Sequence, residues 1–105
     1  MKIQTIYFKL TKLEDEIKQI EGYCEYPYKQ GYMKCINSRT NTWAITAKAT
    51  KMLNSRYKKV HELENKLIDL INDIGREKVK YVLVKECGLD PIIAEDNIDY
   101  LTQEW

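Results

Sequence analysis

The chain is poor in the residues that staple, break or chemically arm a small fold. Its 105 residues include three cysteines, two prolines, four glycines, one histidine and one phenylalanine. Cys24, Cys35 and Cys87 are odd in number and follow no recurrent spacing, so free thiols in a reducing compartment are expected rather than a disulfide framework. There is no C-x-x-C pair that would let these thiols and His61 be read as zinc ligands. A glycine-rich phosphate loop and a G-x-S-x-G elbow are also missing, and Cys35 has no evident base to activate it. The expectation is a protein that is not an enzyme, with no cofactor and no metal. No apolar run approaches the roughly 18 residues of a membrane span, and Glu14 and Asp15 stand where a signal peptide would be apolar. Cytoplasmic residence without a membrane partner is therefore expected.

One further absence is more informative. The totals of 17 basic and 16 acidic side chains nearly cancel, yet residues 26–61 carry eight basic groups and not one Asp or Glu. Residues 62–105 carry five basic and eleven acidic groups. The neutral total thus hides a charge dipole along the sequence, while a net charge of +1 argues against a polybasic tail.

What is present is mainly helical periodicity. Ile3, Ile6, Leu10, Leu13, Ile17 and Ile20 repeat at alternating intervals of three and four, predicting a helix over 3–22 that stops at Gly22. A second such rhythm runs through Thr46, Ala49, Leu53, Arg56, Val60, Leu63, Leu67, Leu70 and Ile74, predicting a long helix over 42–74 with Thr42 as N-cap and Gly75 as its stop. At 1.5 Å per residue such a helix is roughly 48 Å long, against about 26 Å across a compact 100-residue domain. Arg56 falls on the packing stripe and is expected to snorkel toward water, the alternative being a buried, paired charge that fixes helix register or oligomeric state. Residues 76–87 suit either a helix or a strand. Asp90 before Pro91 marks a helix start, with Ala94, Ile98, Leu101 and Trp105 as the inner stripe of a helix over 91–104.

The expected architecture is a single, mostly α domain: an elongated helical hairpin with one long helix and a small C-terminal helical cap. The alternative is α+β, with short strands near the N-terminus, around Gly31 and at 78–85. Residues 23–41 lack helical periodicity and read as a tyrosine-rich loop or a small hairpin turning at Gln30-Gly31.

The candidate site follows from charge and aromatics together. At 100° per residue Lys48, Lys51, Lys58 and Lys59 share an arc of roughly 100° on the side away from the packing stripe. The preceding segment adds Tyr26, Tyr28, Tyr32, Lys34, Arg39 and Trp43. Rings beside cations suit stacking on bases with phosphate neutralisation, and equally the aromatic and Arg anchors of a protein interface. Two functions follow. The first is a non-enzymatic interaction protein, an inhibitor or adaptor of the kind that regulates phage or mobile-element processes. It would bind an acidic protein or a nucleic-acid-processing machine. The second is a nucleic-acid binder without sequence preference that uses the same surface. Self-association as a homodimer is expected in either case. A helix-turn-helix at 78–101 is disfavoured, because its second helix carries Asp90, Glu95, Asp96 and Asp99 and no cation to meet phosphate.

Overall fold

A computed structural model describes residues 2–103. The protein is mostly α, with four helices and one small antiparallel sheet, in the order α1 (Ile3–Tyr23), β1 (Met33–Asn37), β2 (Thr42–Ile45), α2 (Ala47–Ile74), α3 (Arg76–Lys85) and α4 (Pro91–Leu101). Among the described residues no helix is long and apolar enough to cross a membrane. The chain divides into two compact units, residues 13–59 and residues 1–12 with 60–105. They are called here the hairpin unit and the terminal unit.

The hairpin unit contains the β1–β2 ribbon between helical segments. Among its described residues only Ile17, Ile20 and Ala49 are buried hydrophobics, so polar pins and stacked rings must supply much of its order. Its turn is not at Gln30-Gly31. Strand pairing sets Met33 opposite Ile45, Lys34 opposite Ala44 and Cys35 opposite Trp43, with an irregularity before Asn37 meets Thr42, so the ribbon reverses at residues 38–41. There the Asn37 side-chain oxygen accepts from the Arg39 and Thr40 backbone N–H groups, and Asn41 takes a positive φ of 53°. Asn supplies both features through its short amide and its tolerance of the left-handed region. Gly31 (φ 92°) instead shapes a tight turn in which the Tyr32 and Met33 N–H groups donate to the Lys29 carbonyl.

Helix α2 consequently begins five residues later than the 42–74 span expected from Thr42 as N-cap, and close to where its apolar rhythm starts. Thr42, Trp43, Ala44 and Ile45 are strand, and Thr46 is the cap: its hydroxyl accepts from the Ala49 N–H at 3.2 Å, the bond expected from N-cap to third helical residue. Arg56 does not simply snorkel. It is half-buried, with Nε 3.4 Å from Glu16 Oε2 and a guanidinium N–H donated to the Met52 carbonyl at 3.1 Å.

Nine of the twelve buried hydrophobic residues among those described belong to the terminal unit, which holds the main core: Ile3, Ile6, Leu63, Leu67, Ile71, Val79, Leu83, Ala94 and Ile98. Ile71 was not on the expected stripe, whereas Leu70 is half-buried and Ile74 is exposed. A strict heptad line lags about 20° per heptad on a straight helix. From Ala49 through Arg56 and Leu63 to Leu70 that lag reaches roughly 60°, and Ile71 takes over the inner position.

Residues 78–85, like 3–9, are helical, which removes the strand alternatives there. Helix α4 starts as expected, with Asp90 Oδ1 accepting from the Ile92 N–H at 2.9 Å and Pro91 in the first turn. It ends at Leu101, short of residue 104. Trp105 of the expected stripe lies outside the described residues.

The acidity of α4 has a local use. Arg76 on α3 donates to Glu95 at 2.8 Å and to Asp99, and Lys80 lies 3.1 Å from the other Glu95 oxygen. Lys80 and Arg76 hold the Glu95 carboxyl below its ordinary value of 4.5. The carboxylate form is thus favoured by folding. Its contribution is fully present above the unfolded-state pKa and is lost as pH falls through the lower folded-state value. Stability in urea denaturation is expected to fall between about pH 6 and about pH 2 in the wild type, and to fall less in Glu95→Gln, which already lacks the contribution at neutrality.

Candidate functional site

The loop after α1 folds back on that helix. The Lys29 N–H donates to the Tyr23 carbonyl at 3.0 Å, and the Lys29 ammonium lies 4.0 Å from the Tyr23 ring centroid and 5.4 Å from that of Tyr32. The two rings meet with centroids 4.8 Å apart, and Lys48, in the first turn of α2, reaches the Tyr32 ring at 5.5 Å. Gln19 donates its side-chain amide to the Tyr23 hydroxyl at 2.8 Å. Tyr32 is thereby enclosed by another ring and two cations. Cation–π contacts of this kind contribute about 0.5–1 kcal/mol each at exposed sites, so this cluster is a clamp that orders the loop.

A second chain of rings lies in the same unit. Tyr28 packs against Trp43 at 4.9 Å and edge-on to Tyr26 at 6.0 Å. Trp43 is aimed by its own turn, since its indole N–H donates to Asn41 Oδ1 at 2.9 Å. Tyr26, which precedes a cis proline, is 82% exposed. The structure therefore joins Tyr26, Tyr28 and Trp43 in one group, and Tyr32 with Lys48 in another.

Thr46 ties these parts together. Besides capping α2, its hydroxyl donates to the Gly31 carbonyl at 2.7 Å, and its N–H donates to the Tyr32 carbonyl at 3.0 Å. Thr46→Val keeps the volume but removes the cap and that donor together. A loss of about 1–2 kcal/mol is expected in urea denaturation. Thr46→Ser is expected to restore most of it.

The remaining cations predicted for the site are placed without carboxylate partners. Lys34 is exposed on β1, Arg39 in the ribbon turn, and Lys51, Lys58 and Lys59 along α2, and no ion pair involves any of them among the described residues. From Lys48 to Lys59 the helix rises roughly 16 Å, so of the α2 lysines only Lys48 reaches the ring cluster. The unit is less one-sided than its sequence segment suggests. It gathers nine basic groups but also Glu14, Asp15, Glu16, Glu21 and Glu25 from the α1 side. Glu16 faces Arg56, and Glu21 accepts from the Tyr57 hydroxyl at 2.5 Å. Loss of that phenol proton is made harder first by the hydrogen bond to Glu21, then by desolvation and the carboxylate's charge.

Four residues outside the predicted set matter here: Tyr23 and Lys29, which build the clamp, and Ile36 and Ile45, which are 62% and 43% exposed on the ribbon. Lys29 was legible as a cation inside the tyrosine segment. The isoleucines were not, because β-branched apolar residues in a strand are ordinarily half-buried. Apart from a bridge between Gln30 and Met33 at the start of β1, the outer edges of the ribbon are unpaired among the described residues.

The thiols are dispersed: Cys35 is exposed, and Cys24 and Cys87 are half-buried. Burial, with Glu21 and Glu86 nearby, pushes the Cys24 and Cys87 thiols up, which disfavours the reactive thiolate. No group of three or more metal-ligating side chains converges among the described residues. Comparison with protein-family models, curated proteins and solved structures finds no match to this chain.

Proposed function

We propose that this chain is a non-enzymatic interaction protein, an inhibitor or adaptor, whose hairpin unit docks an extended acidic segment of a protein partner. The observation that carries the reading is the ribbon itself: strand edges open beyond the Gln30–Met33 bridge, with exposed Ile36, Ile45 and Tyr26 and with Lys34 and Arg39, which have no carboxylate partner among the described residues. Open edges offer main-chain hydrogen bonds to an added strand, and alternate side chains offer apolar contacts. A single-stranded nucleic acid would use the rings and cations but neither the strand edges nor the isoleucines. Enclosure of Tyr32 by Tyr23, Lys29 and Lys48 further reduces the stacking area left for bases.

The test is calorimetric titration with two probes of equal charge, a synthetic peptide alternating Glu and Val and an oligothymidine. Binding of the peptide is expected, weakened at least about tenfold, or roughly 1.4 kcal/mol, by Ile36→Asp. Preferential binding of the oligothymidine would replace this reading with the nucleic-acid one. In that case affinity would fall steeply with salt and be lost in the Lys48→Ala, Lys51→Ala, Lys58→Ala triple variant. Binding of neither probe would remove both.

A further inference from the structure

Helix α4 has an outward face that its own unit does not use. Ala94 and Ile98 are buried, while Ile92, Ile93 and Tyr100 are 73%, 51% and 68% exposed. At 100° per residue Ile92, Asp96, Tyr100 and Ile93 fall within an arc of about 100°, opposite Ala94 and Ile98. Three large apolar side chains on the solvent face of an 11-residue helix are unexpected for a surface with no partner. The charge beside them is negative. The helix carries four carboxylates counting its cap and no cation, and Asp96 in the middle of the face is not among the residues paired with Arg76 and Lys80.

The same chain holds a surface of the opposite character. The ribbon exposes Ile36 at its irregularity, between Lys34 on the same strand and Arg39 in the turn, and exposes Ile45 at its other end, opposite Met33. The hairpin unit carries nine basic and five acidic groups, the terminal unit eight and eleven. An apolar stripe with an acidic centre and an apolar ribbon with basic neighbours are complementary in both hydrophobic and electrostatic terms. We infer that the occupant of the outward α4 face is the ribbon of a second copy of this chain. The contact is heterologous, two different patches meeting, so a pair keeps one free ribbon on one copy and one free α4 face on the other, and association proceeds stepwise. This rests on the reading of the ribbon as a docking surface, but a helix engages only its exposed side chains and leaves the strand edges to an extended segment.

The full chain is examined by sedimentation velocity, with circular dichroism confirming that each variant is folded. The wild type is expected to show a weight-average mass that rises with concentration across the micromolar range and falls as salt is raised from about 50 to about 500 mM. Ile92→Lys, which spoils the helix patch, and Ile36→Asp, which spoils the ribbon patch, are each expected to be monomeric. Mixed in equal amounts they keep one good patch of each kind, and the mixture is expected to stop at a two-chain species. A wild type monomeric at about 1 mM overturns the inference, as does a mixture that stays monomeric, or either variant associating as the wild type does. The acidic peptide is then titrated into Ile92→Lys, whose ribbon is intact. Peptide binding without wild-type association removes this inference alone, whereas loss of peptide binding removes the reading beneath it.

Discussion

Leu83→Ala is expected to lower stability by about 2–5 kcal/mol, the range for a large-to-small change at a fully buried leucine. Leu83 is 2% exposed, and it and Val79 are the two fully buried residues of α3. A ten-residue helix is too short to persist on intrinsic propensity, so α3 depends on those anchors and on its packing against α4. A small domain has only about 5–15 kcal/mol in total. At roughly 4–8 °C per kcal/mol, the melting temperature should fall by on the order of 10–30 °C. Tyr81→Ala, two residues away on an exposed side chain, is the control and should change little. A loss below about 1 kcal/mol at Leu83 would mean that this core does not hold the helix.

Gly75→Ala is expected to destabilise for a different reason. Gly75 ends α2 and caps α3, with φ 91° and ψ 150°, a region that only glycine occupies readily. Space is not the obstacle, because a methyl group there would meet nothing within 4 Å. The cost is conformational, about 1–3 kcal/mol, offset in part by about 0.4–1 kcal/mol from the stiffer unfolded chain. D-alanine introduced by chemical synthesis has the mirror preference and should be tolerated at least as well as glycine. Equal stability of the L- and D-alanine proteins in urea denaturation would contradict the assignment. The sequence signals a stop at Gly75, but the usual left-handed cap has ψ near 47°. The observed value instead sends the chain straight into a second helix.

The two halves of the site were legible to different degrees. Tyr26, Tyr28, Tyr32 and Trp43 stand out because aromatics cluster around Pro27 and Gly31. Which rings pair depends on where the ribbon turns, and that was obscured by competing turn signals. Gln30-Gly31 has the glycine, whereas the reversal at 38–41 is made by Asn37 and Asn41 through side-chain bonds to nearby backbone N–H groups and the Trp43 indole. The cation-rich segment was plain, but the acidic groups that share its unit come from α1, at least 30 residues away along the chain from Arg56 and Tyr57.

By itself the sequence determined the mostly helical class, the α1 seam from Ile3 to Ile20, the Asp90-Pro91 start of α4 and the acid-free stretch. Each rests on residue spacing or on preferences that act within a few positions. Tertiary structure decided the ribbon, the late start of α2 at Thr46, the pairing of Arg56 with Glu16, and the use of Glu95 and Asp99 to bind α3. It also decided which apolar groups, Ile36 on the ribbon and Ile92, Ile93 and Tyr100 on α4, are left in water. The physical reason is common to all of these. Burial, charge pairing and strand partnership are properties of distant segments brought together, and periodicity shows which face a helix will bury but not what will be there to cover it.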